Sequence, residues 1–307
     1  MKWGNKMVTS VLERIGVLIT VEHDDRTVPY LGALRNYRVI AVAAREPDAW
    51  VSFGSGAARS SVNANHISVT LPSADFTQRG FQVAVDQAFA LGLERQGRHV
   101  IHASAIASDE GVLVLWGQSG AGKTTLARDI RSRHGGSVIS NGALVLGLSD
   151  EDILAFGASK KLAKIRVSSD QPGVHASSSP AYETKHEVNI AEWGAESVHL
   201  PLRVVAFNVV RAVRGLERAY FAPIDVPRMI PKLYQEMSRS ILGTEALIFG
   251  RSGQPIVAFP SLSTPDGHRQ RWELASRLLA IGAHATGPME ALSDSLWSGF
   301  QRALVTS

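Results

Sequence analysis

Apolar and polar positions alternate over short stretches in the first seventy residues and then change period. Residues 16–22 (GVLITVE) and 37–44 (YRVIAVAA) are rich in Val and Ile and read as strands. Residues 1–15 carry no such run and are expected to form a short helix or arm. Residues 57–65 (AARSSVNAN) are polar and turn-like, whereas 66–71 (HISVTL) alternate as a half-buried strand does. From residue 76 to 94 the period becomes helical: Phe81, Val85, Ala88, Phe89 and Leu91 fall on one face. Residues 1–95 therefore predict a small α+β region, and nothing in them suggests catalysis.

The second part, 96–307, is denser in strands. Residues 100–108 (VIHASAIAS) and 112–116 (VLVLW) predict a hairpin closed by Asp109-Glu110-Gly111. A helix follows from Thr125 and stops at Gly135-Gly136, with Arg131, Arg133 and His134 in its last turn. Residues 137–140 and 143–146 read as strands parted by Asn141-Gly142. Residues 149–156 are expected to open a helix capped by Ser149, with Asp150, Glu151 and Asp152 either in its solvated first turn or acting as metal ligands. Residues 167–185 are rich in Ser and Pro and predict a long loop. Residues 202–210 (LRVVAFNVV) form the most apolar strand of this half, and 256–259 a short one. Helices are expected at 225–241, with Asp225 as cap, at 269–281 and at 288–304.

One stretch carries chemistry. Between the apolar run 112–116 and the helix, Gly117, Gln118, Ser119, Gly120, Ala121, Gly122, Lys123, Thr124 and Thr125 satisfy the phosphate-binding pattern G-x-x-x-x-G-K-[ST]. A strand before and a helix after are the context this motif needs. Glycines let successive N–H groups turn towards phosphate oxygens, and a helix N-terminus adds partial positive charge. In this pattern Lys123 reaches the β- and γ-phosphates and the Thr124 hydroxyl ligates Mg²⁺.

Composition narrows the class further. The chain has 307 residues, 45% hydrophobic and 20% charged, as ordinary globular proteins do. A formal charge of +4 suits an anionic nucleotide without calling for nucleic acid. There is no cysteine, so disulfides, thiolate metal sites and cysteine nucleophiles are excluded. No apolar run is long enough for a membrane span, and the N-terminus does not look like a signal peptide, so the expected compartment is the cytoplasm.

The sequence IHASAIASDEGVLVLWGQSGAGKTTLA resembles the core of the HPr kinase/phosphorylase superfamily, and more closely the HPr-kinase-like proteins associated with ribosomal peptide clusters, including lasso peptides. An I-H-[GA]-[ST] strand precedes the phosphate loop there, as Ile101-His102-Ala103-Ser104 does here. The resemblance is specific over about residues 98–147; elsewhere only the order of elements agrees. It implies an α/β fold with a P-loop nucleotide-binding core on a curved mixed sheet, similar to the nucleotide domain of phosphoenolpyruvate carboxykinase. It also implies Mg²⁺ with ATP or GTP, and transfer of the γ-phosphoryl group to a serine-type hydroxyl of a precursor peptide or small carrier protein. The family often assembles, so a homo-oligomer is possible; the two amphipathic C-terminal helices either offer surfaces for that or simply pack on their own core.

The chain departs from the family at one motif. An aspartate pair follows the P-loop helix in the family, serving as base and metal ligand; by element order those positions are Ser140 and Asn141. The Asn141 carbonyl can still face Mg²⁺, but an amide is a poor base. His102 has a suitable ordinary pKa for proton transfer, or is a hydrogen-bonded histidine on a buried strand. Lys160, Lys161, Lys164 and Arg166 either clamp an acidic group or form a solvated helix face. Arg166 lies near the place of a family active-site arginine, and Arg211 and Arg214 follow a buried strand towards the same region. The expected catalytic set is His102, Lys123, Asn141 and Arg166, with Thr124 and Asn141 at the metal. The alternative is a nucleotide-binding pseudokinase. A motor ATPase is disfavoured, because no L-S-G-G-Q stretch and no Walker-B carboxylate follow the loop.

Overall fold

The computed structural model describes residues 8–23, 28–32, 34, 36–40, 45–75, 77–158, 162–166, 185–194, 198–242, 246–250 and 252–306. In chain order it begins with β1 (Val8–Arg14), β2 (Val17–His23), α1 (Val28–Leu31), β3 (Arg38–Ile40), β4 (Ala49–Ser55), β5 (Arg59–Asn63), β6 (His66–Leu71), α2 (Gln78–Arg95) and β7 (Arg98–Ile101). β8 (Ala103–Ala107), β9 (Val112–Trp116), α3 (Lys123–His134), β10 (Ser137–Asn141), β11 (Leu144–Leu148) and β12 (Ile153–Ala158) follow. Then come β13 (Leu162–Arg166), β14 (Lys185–Asn189), β15 (Leu202–Ala212), β16 (Tyr220–Pro223) and α4 (Val226–Ser238). β17 (Leu247–Phe249), β18 (Pro255–Ala258), α5 (Pro265–Ala280), β19 (Gly282–Gly287) and α6 (Met289–Thr306) complete the chain. This is a mixed α/β protein. It divides into two compact units, one of Met1–Ile101, Val145–Ile153 and Asp225–Leu278, the other of His102–Leu144, Leu154–Ile224 and Leu279–Ser307. Among the described residues, no helix is long and apolar enough to cross a membrane.

The first unit is built on a six-stranded sheet of order β3-β1-β2-β4-β6-β5. α2 packs across β2 and β4 with Phe81, Val85, Ala88, Phe89 and Leu91 buried, the face its helical period predicts. Thr77 caps it by accepting the Gly80 N–H at 3.1 Å. Residues 8–14 are a strand, not the expected helix or arm. Ile15 and Gly16 both take positive φ (52° and 69°) and close a two-residue hairpin in which Arg14 faces Val17. An isoleucine in a left-handed turn position conceals the signal that Asn or Gly would give. Residues 59–63, expected as a turn, form the edge strand β5; its side chains alternate in exposure, and its polarity is that of a solvated edge. The predicted strand at 37–44 is observed at 38–40, and 41–44 lie outside the described residues.

A polar cluster is sealed inside this unit. Arg271 and Glu94 are both fully buried, and Arg271 Nη1 donates to the two carboxylate oxygens at 2.7 and 2.5 Å. His99 Nδ1 stands 3.6 Å from Glu94 Oε2, beyond hydrogen-bond reach, and neither ring nitrogen has a hydrogen-bond partner among the described residues. Burial, helped by the Arg271 charge, pushes the His99 pKa down to about 3, so this imidazole is neutral and its contact with Glu94 is not an ion pair.

The second unit holds the strands that flank residues 117–122. β8 and β9 form the predicted hairpin, with Ala107 opposite Val112. β9 runs parallel to β15, β15 parallel to β19, and β16 closes antiparallel on β19. On its other side β8 pairs antiparallel with β10. The sheet is thus mixed, and bulges at Ile139 of β10 and Val205 of β15 bend it. Leu113, Leu115, Leu126, Ile130, Val210, Leu296 and Phe300 form the core on which α3 and α6 pack.

Several expectations change here. The strand expected at 100–108 breaks at His102 into β7 and β8. Residues 149–152 are a turn rather than a helix start: Ser149 N–H donates to the Asp152 carbonyl at 2.9 Å, and the Ser149 hydroxyl accepts the Asp152 N–H at 3.1 Å. β12 follows, so Asp150, Glu151 and Asp152 stand on a turn. Residues 162–166 are a strand paired with β14, not a helix face. Lys160, Lys161 and residues 167–184, the expected long loop, lie outside the described residues. β16, β17 and β19 have no counterpart in the sequence pattern; β19 (GAHATG) is mostly small residues and is held by parallel pairing to β15.

Candidate functional site

The loop of residues 117–122 joins the C-terminal end of β9 to the first turn of α3. Gly117, Gly120 and Gly122 take φ of 152°, 85° and 91°, a run that side chains oppose. At two of them space is closed as well. A Cβ on Gly117 would meet the Val210 carbonyl at 2.8 Å, and one on Gly122 the Ala212 Cβ at 2.8 Å. The loop is tied to β15 directly, because the Ala212 N–H donates to the Ala121 carbonyl at 3.0 Å. Ala121 N–H donates to the Gln118 carbonyl at 3.1 Å and turns the loop on itself. Gly122 precedes α3 with no side-chain cap, which leaves the N–H groups of the first turn to other acceptors.

Lys123 is buried and reaches back over the loop. Its Nζ donates to the carbonyls of Gly117 at 2.6 Å and Gln118 at 3.1 Å. The ammonium is therefore centred on the loop that a phosphate chain would fill. The Thr124 hydroxyl donates to Asn141 Oδ1 at 2.7 Å, and the Ser104 hydroxyl donates to the same oxygen at 2.9 Å. Ser104 stands opposite Asn141 in the β8–β10 register, which explains the contact. Gln118, Ser119 and Thr125 are exposed at the loop surface.

The β10 bulge sets which residues face the site. Ser140 is fully buried and donates to the Ala103 carbonyl at 3.4 Å, whereas Asn141 is half-buried and faces Thr124. Of the two positions where the resemblance leads one to expect carboxylates, only Asn141 fronts the loop. His102 is exposed at the bend between β7 and β8; a Cβ on Gly142 would lie 3.7 Å from its Cε1. The histidine thus borders Gly142, next in chain to Asn141, and is not buried on a strand. His102, Lys123, Thr124 and Asn141 fall in one neighbourhood. Arg166 does not join them through the sheet: it ends β13, opposite Lys185, in a separate two-stranded sheet. Arg211 is exposed on β15 immediately before Ala212, at the strand end that carries the loop, and Arg214 is exposed just beyond.

Among the described residues, no group of three or more His, Asp or Glu side chains is gathered to hold a metal ion. A cation held mainly by phosphate oxygens needs less than that, usually one or two protein oxygens with water. Thr124 fits such a role: its proton is committed to Asn141, so its oxygen lone pairs are directed elsewhere. Sequence reasoning named Thr124 and Asn141 but not the Ser104 hydroxyl that joins them; the signal available was its place two residues after His102 on the strand before the loop.

No family model matches the sequence. None of the curated proteins compared matches it either. Among solved structures, the HPr(Ser) kinase/phosphatase from Coxiella burnetii aligns over 59% of this chain and 88% of that one, with 11% identity and a TM-score of 0.25. At that TM-score the alignment carries no weight for function, and the chemistry has to be read from the loop and its neighbours.

Proposed function

We propose that this chain binds a nucleoside triphosphate, ATP or GTP, with Mg²⁺ at residues 117–125 and transfers the γ-phosphoryl group to a serine-type hydroxyl of a peptide or small protein. The observation that carries the reading is the glycine-rich turn between β9 and α3 with the Lys123 ammonium over it. Backbone N–H groups and Lys123 would cradle the phosphates, and Thr124 would take the cation, which supplies charge neutralisation between the phosphates. Phosphoryl transfer depends mostly on positioning and charge stabilisation, and such a site provides both. His102, exposed beside Gly142, would orient or deprotonate an acceptor hydroxyl. By the sequence resemblance the acceptor is a serine of a precursor peptide or a small carrier protein, and the compartment is the cytoplasm.

Asn141 favours a second reading. An amide occupies the loop-facing position where the resemblance leads one to expect a carboxylate, as a pseudokinase that only senses nucleotide would have it. Incubation with Mg²⁺-ATP and a seryl peptide, read by mass spectrometry, separates the two. The kinase reading expects phosphopeptide from the wild-type chain and none from Lys123→Ala. A chain that binds nucleotide yet gives no phosphopeptide, and gains transfer on Asn141→Asp, is a pseudokinase. Asn141 is the position to change, because an aspartate at fully buried Ser140 would be an unpaired charge in the core.

A further inference from the structure

We infer that Ser104 is a positioning residue that fixes the Asn141 amide with its NH₂ group as a donor to the terminal phosphate, so that position 141 reads phosphate rather than metal. The inference rests on the nucleotide-binding reading above. Two hydroxyls, Ser104 Oγ at 2.9 Å and Thr124 Oγ1 at 2.7 Å, donate to the one carbonyl oxygen of Asn141. A carbonyl has two lone pairs, so this oxygen is filled. Nδ2 keeps both hydrogens, and among the described residues it has no protein acceptor. Ser104 is fully buried, and its hydroxyl makes no other hydrogen bond among the described residues. It therefore acts on the site only through Asn141. The Ile139 bulge and the Asn141–Ser104 register hold the pair in place.

The position of the free amide end gives it a ligand. Thr124 is the motif residue that would hold the cation, which would supply charge neutralisation to the phosphates, and Asn141 is bonded to it. An NH₂ group there repels a cation and attracts phosphate oxygens. It stabilises the charge on the group being transferred, and it cannot act as a base. A carboxylate at 141 would do the reverse, accepting both hydroxyls and attracting the cation rather than the phosphate. Ser104 thereby converts an ambiguous amide into a phosphate-specific one.

The test is the ratio of dissociation constants for ADP and a non-hydrolysable ATP analogue, at fixed Mg²⁺, by calorimetric titration. A ratio cancels any uniform loss of folded protein. Ser104→Ala and Asn141→Leu should each lower the preference for the triphosphate by about tenfold or more, the scale of one hydrogen bond to a charged group. Ser104→Thr restores the hydroxyl and should keep the wild-type ratio. An unchanged ratio in both Ser104→Ala and Asn141→Leu, with wild-type binding intact and lost in Lys123→Ala, overturns this inference and leaves the nucleotide site standing. Absence of binding by the wild-type chain overturns both.

Discussion

Replacing His99 by Leu should remove this residue's own share of the chain's acid sensitivity. His99 is almost fully buried, neither ring nitrogen is hydrogen-bonded, and its pKa is held near 3. In the unfolded chain the same group titrates at about 6.5. Between those values the unfolded state binds a proton that the folded state refuses, so stability is full above pH 6.5 and falls as the pH drops. For a folded pKa of about 3, the loss relative to pH 8 is about 2 kcal/mol at pH 5 and about 3 kcal/mol at pH 4. Leucine cannot take up the proton. It also strands no hydrogen bond, because the imidazole makes none among the described residues. Urea unfolding of wild type and His99→Leu at pH 8, 6 and 5 measures the effect. The two midpoints should be close at pH 8, and the variant should be the more stable by about 2 kcal/mol at pH 5. Parallel curves across that range would mean that His99 titrates alike in both states, and the argument from its burial would be wrong.

Other predictions concern the same cluster and the loop. Arg271→Met leaves the buried Glu94 carboxylate without its partner and should cost about 3–5 kcal/mol in chemical denaturation; the double change with Glu94→Gln should recover part of it. Gly117→Ala should weaken nucleotide binding far more than Gly120→Ala in a fluorescence titration, because a Cβ at 117 meets a backbone carbonyl at 2.8 Å and one at 120 meets nothing within 4 Å. Thr124→Val keeps the shape of the side chain but removes its hydroxyl, and should weaken the Mg²⁺ dependence of binding more than binding of the nucleotide alone. His102→Gln should slow transfer about 10²–10⁴-fold in a single-turnover assay with nucleotide affinity unchanged, as loss of an acid–base group does.

What was legible in the sequence were the elements whose local chemistry agrees with their place in the fold. The strand–loop–helix at 112–134, the α2 helix and the Asp225-capped α4 are of this kind: the glycines, caps and apolar period all point one way. The failures share a cause. β1 ends in a turn formed by Ile15, which sits where a β-branched side chain is disfavoured. β5 is polar because it is an edge, and β19, mostly small residues with little strand preference of their own, is held by its pairing to β15. In each the tertiary context overrides the local preference. At the site the loop could be read directly, since its glycine spacing is itself the geometry. The separation of Ser140 from Asn141 could not, because it depends on a bulge at Ile139 that leaves no mark in composition. Strict alternation would also place the two residues on opposite faces, but would not say which one faces Thr124.

Isothermal titration of the full chain with Mg²⁺-ATP, beside Lys123→Ala, asks whether residues 117–125 hold the phosphates of a nucleotide. Saturable one-to-one binding is expected for the wild-type chain. The variant should lose at least about tenfold in affinity, because an ammonium centred on the loop has gone. Equal binding by both chains, or none by the wild type with either ATP or GTP, would show that the loop does not hold a nucleotide in this way.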